Sequence, residues 1–432
     1  MFCPGRRGRP PRTSRGSTGR RGETLIGSTW RSRSTRGVVV IGAAAALVLS
    51  GCSDKSTDSG GGAGGASLSI QPVVQLDTEG KEVAAGDSSG AADPAGDGKA
   101  TCAPLTLGMA GPLTGGNAAL GINVVMGVKL ALDQHNKANP GCQVKVKEFD
   151  TEGKAQNASS VVPAIIADPN IVALIGPTFS GETKATGGQL NQAGLPFLTA
   201  SATNPTLTQN GWKTFFRGLG NDNSQGPAVA SYLTGKLGYK KICVVVDNTD
   251  YGKGLADAFT AAAGSAVDAG CGVTVKEGDK DFSAAVSALA AAKPDAIFYS
   301  GYYAESAPFV QQLRTGGVTA TFASADGSND PEFVRQAGNS AKDAYLSCPC
   351  SPAPAKFTEE YKAFNGQAPG VYSVEGYDLT TIVLKAIAAG KVTRADIAEY
   401  VRTYDGAGVA RQYKWNENGE LANIQIWMYQ VK

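Results

Sequence analysis

The chain has 432 residues, 42% of them hydrophobic, and a formal net charge of +2; at roughly 150 residues per domain that is material for two to three domains with more than one core. The ten arginines of residues 6 to 36 all precede Cys52 and are opposed only by Glu23, so beyond that point Lys+Arg falls from 40 to 30 and Asp+Glu from 38 to 37. The remainder carries −7, which argues against a nucleic-acid footprint.

Val38 to Leu49 is an apolar run of signal-peptide length, too short to span a bilayer. It ends in Leu49-Ser50-Gly51-Cys52, which resembles the bacterial lipobox; an ordinary secretory cleavage beside an incidental cysteine is the alternative. The resemblance implies a signal peptide over residues 1 to 51 and a diacylglycerol on Cys52, two acyl chains being a durable anchor. The protein is then expected on the outer face of the bacterial cytoplasmic membrane. Residues 52 to 101 are rich in Gly, Ser, Asp and Ala and read as a disordered tether, including the apolar patch from Leu68 to Leu76.

Six cysteines remain after Cys3 and Cys52, an even number that in an exported chain favours disulfides. Cys102 and Cys142 flank strand-like runs, as do Cys243 and Cys271, and neighbouring parallel strands would bring each pair together. Cys348-Pro349-Cys350 can close a tight ring, ligate zinc or stay reduced.

From Leu105 onward, short β-rich runs alternate with amphipathic stretches of helical length, the pattern of parallel sheets covered by helices. The first round reads strand 105 to 109, helix 121 to 138, strand 144 to 149, helix 155 to 167, strand 171 to 175, helix 181 to 193 and strand 196 to 200. Val161, Val162, Ile165 and Ile166 make a buried helical stripe. The second round reads helix 224 to 236, strand 240 to 247, helix 253 to 268, strand 272 to 277, helix 282 to 292, strand 295 to 299, helix 305 to 315 and strand 320 to 324. Two doubly wound, Rossmann-like units place ligands at the carboxyl ends of their strands.

Catalytic signatures are thin. The single histidine, His135, falls inside a helix and reads as a surface residue, and there is no His-Glu-x-x-His, Gly-x-Ser-x-Gly or Walker loop. The strand ends are richer in hydroxyls. Ser180 falls at a helix start, where free N–H groups and the dipole favour an anion, although a plain N-cap would give the same residue. Ser201, Ala202 and Thr203 form a second such turn beside it. In the second unit Tyr251, Tyr302 and Asp326 follow successive strands; an ammonium group boxed by tyrosines is one reading, and packing tyrosines with a solvated carboxylate is the other.

The motifs Gly111-Pro112-Leu113-Thr114-Gly115, Leu198-Thr199-Ala200-Ser201-Ala202-Thr203, Ser224-Gln225-Gly226-Pro227, Asp250-Tyr251-Gly252-Lys253-Gly254, Tyr299-Ser300-Gly301-Tyr302 and Trp415-Asn416-Glu417-Asn418-Gly419 occur in that order. From Leu105 to near Met428 the chain therefore resembles the leucine/isoleucine/valine-binding proteins, type I periplasmic receptors of branched-chain amino-acid ABC transporters. The resemblance implies an α/β fold of two lobes, residues 102 to 221 with 350 to 408 and residues 222 to 349 with 409 to 432. Three crossings would join them, near Leu219 to Asn223, Pro349 to Pro352 and Gly406 to Ala410.

By the same resemblance, Ser180 and Thr203 match positions that hold a ligand carboxylate, and the Ser201 carbonyl and Asp326 match those that take its ammonium. Tyr251, Tyr302, Tyr372 and Ala202 match walls. Three departures bear on specificity: a longer loop from 113 to 121 with Leu120 in place of a common aromatic, Phe179 at a usually smaller position, and Asp326 one methylene shorter than the frequent glutamate. The expectation is a monomeric, non-enzymatic receptor without cofactor or metal that delivers a small amino acid to an ABC permease and its ATPase. A sensor of the same fold signalling to a membrane kinase is the alternative.

Overall fold

The computed structural model describes residues 68–84 and 90–432. Cys52, the expected signal peptide and the first part of the expected tether lie outside these residues. The first strands are β1 (Ile70–Leu76) and the two-residue β2 (Glu82–Val83). Strand and helix then alternate through β3 (Leu105–Gly111), α1 (Ala118–Ala138), β4 (Val144–Asp150), α2 (Ala155–Ala167), β5 (Ile171–Ile175), α3 (Ser180–Gln192), β6 (Phe197–Thr199) and β7 (Phe215–Arg217). The order β4-β3-β5-β6-β7 makes one all-parallel sheet. Every residue of β5 is buried, as expected of a parallel strand covered on both faces. Val162 and Ile165 of α2 pack into that core, with Val161 and Ile166 partly buried at its margin.

The second stack comprises α4 (Asp222–Ser231), β8 (Ile242–Asp247), α5 (Asp250–Ala263), β9 (Val273–Val275), α6 (Ser283–Ala292), β10 (Ala296–Ser300), α7 (Tyr303–Thr315), β11 (Thr321–Ala323), α8 (Pro331–Ala337) and β12 (Tyr345–Cys348). The chain then returns to the first stack, where α9 (Ala355–Asn365) and α10 (Ser373–Ala388) pack on α1 and α11 (Arg394–Thr403) packs on α10. A hairpin, β13 (Asp405–Ala407) and β14 (Gln412–Lys414), precedes the last strand, β15 (Ile426–Val431). The larger sheet has the order β2-β1-β15-β12-β11-β10-β8-β9, parallel from β9 to β12 and antiparallel beyond.

The chain passes from the first stack to the second between β7 and α4 and back between β12 and α9. The third crossing lies later than residues 406 to 410. The Gly419 carbonyl accepts from the Arg217 N–H at 2.9 Å, Glu420 pairs with Arg217 at 2.9 Å, and the Trp415 indole donates to the Arg217 carbonyl at 2.6 Å. These contacts keep residues 415 to 420 on the first lobe, so the return falls between Leu421 and Ile426.

Two expectations are corrected by the segment that precedes β3. The patch from Leu68 to Leu76 is not disordered: β1 pairs antiparallel with β15 and buries Leu76 completely. An open edge strand offers a row of unpaired N–H and C=O groups, and this apolar segment from the other end of the chain takes them up. His135 is not at the surface either. It is fully buried, and its Nδ1 lies 3.0 Å from the Pro94 carbonyl, because residues 92 to 100 run over the end of α1. The three disulfides pair as expected, Cys102–Cys142, Cys243–Cys271 and Cys348–Cys350, which resolves the alternatives for the last pair.

Candidate functional site

The first lobe contributes two turns at neighbouring strand ends. After β5 the chain passes Gly176, whose φ of +116° and missing side chain let it run against β3, where a Cβ would lie 2.3 Å from the Ala110 carbonyl oxygen. Ser180 then opens α3, whose first N–H groups have no partner inside the helix. The Glu182 carboxylate accepts from the Phe179 N–H at 2.6 Å and fixes the turn; burial lifts the Glu182 carboxyl to about 8. Ser180 Oγ accepts from the Asn204 N–H at 3.2 Å, which ties the two turns together and leaves its own proton for another acceptor.

In the second turn the Ser201 hydroxyl donates to the Thr178 carbonyl. Ala202 has both backbone groups engaged, its N–H with Thr199 Oγ1 at 3.0 Å and its carbonyl with the Arg217 guanidinium. Thr203 is fully buried and its Oγ1 has no partner.

Opposite them, the second lobe presents Asp326 at the end of β11. Tyr251, in the first turn of α5, donates to Asp326 Oδ1 at 2.8 Å and accepts from the Gly327 N–H at 3.1 Å. Tyr372 donates to Asp326 Oδ2 at 2.7 Å from the first lobe. It holds φ at +69°, a left-handed backbone that costs a bulky residue about 1–3 kcal/mol unless its surroundings enforce it. Burial raises the Asp326 carboxyl above its usual range, and the two tyrosine hydroxyls offset part of that rise. Among the described residues no cationic side chain pairs with Asp326. Phe179 stacks on Tyr302 with centroids 4.3 Å apart, and Tyr302 lies 4.9 Å from Tyr251, so three rings run from one lobe to the carboxylate of the other.

All nine residues expected at the site are thus buried where the lobes meet. Leu120 is buried too, but in the first turn of α1. Sequence reasoning missed Asp222, which opens α4 at the first crossing. Both of its carboxylate oxygens are buried without partners. Burial lifts its carboxyl to about 8, Thr203 offsets some of the rise and the charge of Asp326 adds to it; the Asp222 N–H donates to the Thr203 carbonyl at 3.0 Å, while the two side chains do not meet in hydrogen-bond geometry. The signal was its place two residues before Ser224-Gln225-Gly226-Pro227.

Several contacts hold the lobes together around this point. Lys184 pairs with Asp250 at 2.7 Å, Asn204 donates to the Asp250 carbonyl at 2.7 Å, and Asn123 donates to Asp330 at 2.7 Å. A cleft of about 610 Å³ is lined by Asn123, Tyr303, Asp330 and Arg335 rather than by Ser180, Thr203 or Asp326. Among the described residues no cluster of three His, Cys, Asp or Glu side chains is placed to hold a metal, and no helix is long and apolar enough to cross a membrane.

The chain as a whole resembles known proteins. The periplasmic binding protein family profile matches residues 104–432. The Leu/Ile/Val-binding protein homolog 3 of Brucella melitensis is 32% identical over 324 residues, covering 72% of this chain and 83% of its own. The leucine-, isoleucine-, valine-, threonine- and alanine-binding protein of Pseudomonas aeruginosa is 28% identical over 76% of this chain and 89% of its own. Among solved structures, the branched-chain amino acid transporter substrate-binding protein LivJ of Streptococcus pneumoniae, in complex with isoleucine, superposes with a TM-score of 0.71 at 28% identity, covering 76% of this chain and 99% of its own. The chain belongs to the periplasmic binding protein family.

Proposed function

We propose that the protein is an extracytoplasmic solute receptor that captures a small zwitterionic amino acid between its lobes and delivers it to an ABC permease and its ATPase. One observation carries this reading: Asp326 and Asp222 are buried without a counter-cation, facing a pair of hydroxyl turns at a helix N-terminus. Burying a charge without a partner is costly, and an ammonium supplied by the ligand relieves that cost. The ligand carboxylate is then met by Ser180, Thr203 and the first N–H groups of α3. Each ligand end is held mainly by one lobe, so the ligand binds the closed arrangement better and shifts the population toward it. The relatives' recognition of leucine, isoleucine, valine, threonine or alanine supports an amino-acid ligand here. A sensor of the same fold gains no support from them. Lipidation at Cys52, a monomeric state and the absence of enzymatic activity complete the reading.

Charge-assisted hydrogen bonds contribute about 1.5–3 kcal/mol each, so Ser180→Ala and Asp326→Ala should each weaken amino-acid binding by about ten- to a hundredfold in titration calorimetry. Unchanged affinity in both variants would remove these residues from the site.

A further inference from the structure

We infer that Phe179 sets the ligand class: its ring takes the space that a branched side chain would need, so the receptor is built for amino acids with short side chains, such as alanine, serine or glycine. The inference rests on the amino-acid reading above. Phe179 immediately precedes Ser180, so its ring and the carboxylate-facing hydroxyl issue from consecutive residues of one turn. That turn is fixed on both sides, by Glu182 accepting from the Phe179 N–H at 2.6 Å and by the Ser201 hydroxyl on the Thr178 carbonyl.

The ring cannot withdraw into the first lobe while it keeps this position. Gly153, at φ +75°, lies directly behind it, and a Cβ there would sit 2.7 Å from Phe179 Cε2. The missing side chain at Gly153 brings its backbone close behind the ring. On the other side the ring stacks on Tyr302 at 4.3 Å with the planes 26° apart, and Tyr302 leans on Tyr251, whose hydroxyl is held by Asp326. The rings therefore form a continuous wall from the carboxylate end to the ammonium end of the site. Interiors are packed closely enough that a branched aliphatic group cannot share this space with the benzyl group. A side chain of one or two heavy atoms leaves the stack undisturbed.

The test is titration calorimetry on protein unfolded to strip retained ligand and refolded, with glycine, alanine, serine, valine, leucine and isoleucine as probes. The wild-type protein should bind alanine or serine at least about tenfold more tightly than leucine, one methylene in an apolar pocket already being worth about 10–200-fold. Phe179→Ala should reverse that order by strengthening leucine binding about tenfold or more, and Phe179→Leu, which keeps an apolar side chain should the alanine variant fold poorly, should narrow the difference. Leucine binding as tightly as alanine to the wild type would overturn the inference and leave the amino-acid reading intact, as would both variants losing all probes equally. No binding of any amino acid by the wild type would overturn both.

Discussion

Asp222 and Asp326 are the two carboxylates on which the account turns, and they differ from the acids of the surface. Asp168 and Asp405 sit in water beside lysines, which hold their carboxyls below the usual range. Asp222 is fully buried with no lysine paired to it, and its carboxyl is lifted to about 8. In the unfolded chain it titrates near 3.8, so between about pH 4 and pH 8 the unfolded state has lost a proton that the native state keeps. Stability of the free protein should therefore be greatest below that window and fall as pH rises through it. Asp222→Asn removes the titration, and thermal unfolding of the ligand-free variant should show a higher midpoint at pH 8 and a flatter pH profile than the wild type. An unchanged profile would mean that Asp222 is solvated after all. None of this was legible in the sequence, because burial here comes from distant partners: a Cβ at Gly254 would meet Asp222 Oδ2 and Asn204 Nδ2, each at 2.7 Å. The hydroxyl turns were legible, because Ser180 and Thr203 each follow a strand whose apolar run announces itself.

At the scale of elements, the sequence pattern located β5 at residues 171 to 175 and α2 at 155 to 167 without error, since an unbroken apolar strand and a stripe at helical spacing are both strong local signals. It failed for β1. There Pro72 interrupts the alternation, the ladder with β15 shifts register between Pro72 and Val74, and the flanking glycines and serines look like linker. What makes Ile70–Leu76 a strand is the edge of β15, 350 residues away in sequence, as the pairing of Leu76 with Ile426 shows. Pairing of that kind is non-local and leaves little local trace. The consequence is measurable. Leu76 is fully buried, so Leu76→Ala should lower the unfolding free energy by about 2–5 kcal/mol in denaturant titration. A change below about 0.5 kcal/mol, typical of surface substitutions, would mean that the strand contributes nothing to the sheet.

For the whole molecule, fold and site are coupled through the crossings. The first crossing carries Asp222, the second carries the Cys348–Cys350 ring, whose Pro349 carbonyl accepts from Arg411 at 2.6 Å, and the stretch before the third carries Glu420 against Arg217. Residues at the crossings and buried charged groups therefore fall close together in the chain. The resemblance gave residues 409 to 432 to the second lobe, whereas the Trp415 indole, donating to the Arg217 carbonyl at 2.6 Å, holds the stretch around it against β7, a contact with no local trace in the sequence. The proposed lipidation of Cys52 belongs to this scale too: an acylated receptor would stay near its permease. Cys52→Ala should then appear in the culture medium while the wild type fractionates with membranes and needs detergent for release; equal fractionation of the two would remove the anchor.

The central claim is that one ligand carries both charges, an ammonium for Asp326 and a carboxylate for Ser180 and Thr203. Titration calorimetry of the refolded protein with an amino acid, its N-acetyl derivative and its amide tests it most directly. The account predicts binding of the amino acid and a loss of at least about tenfold for each derivative, since each leaves one buried polar group unmet. Equal affinity for all three would contradict it.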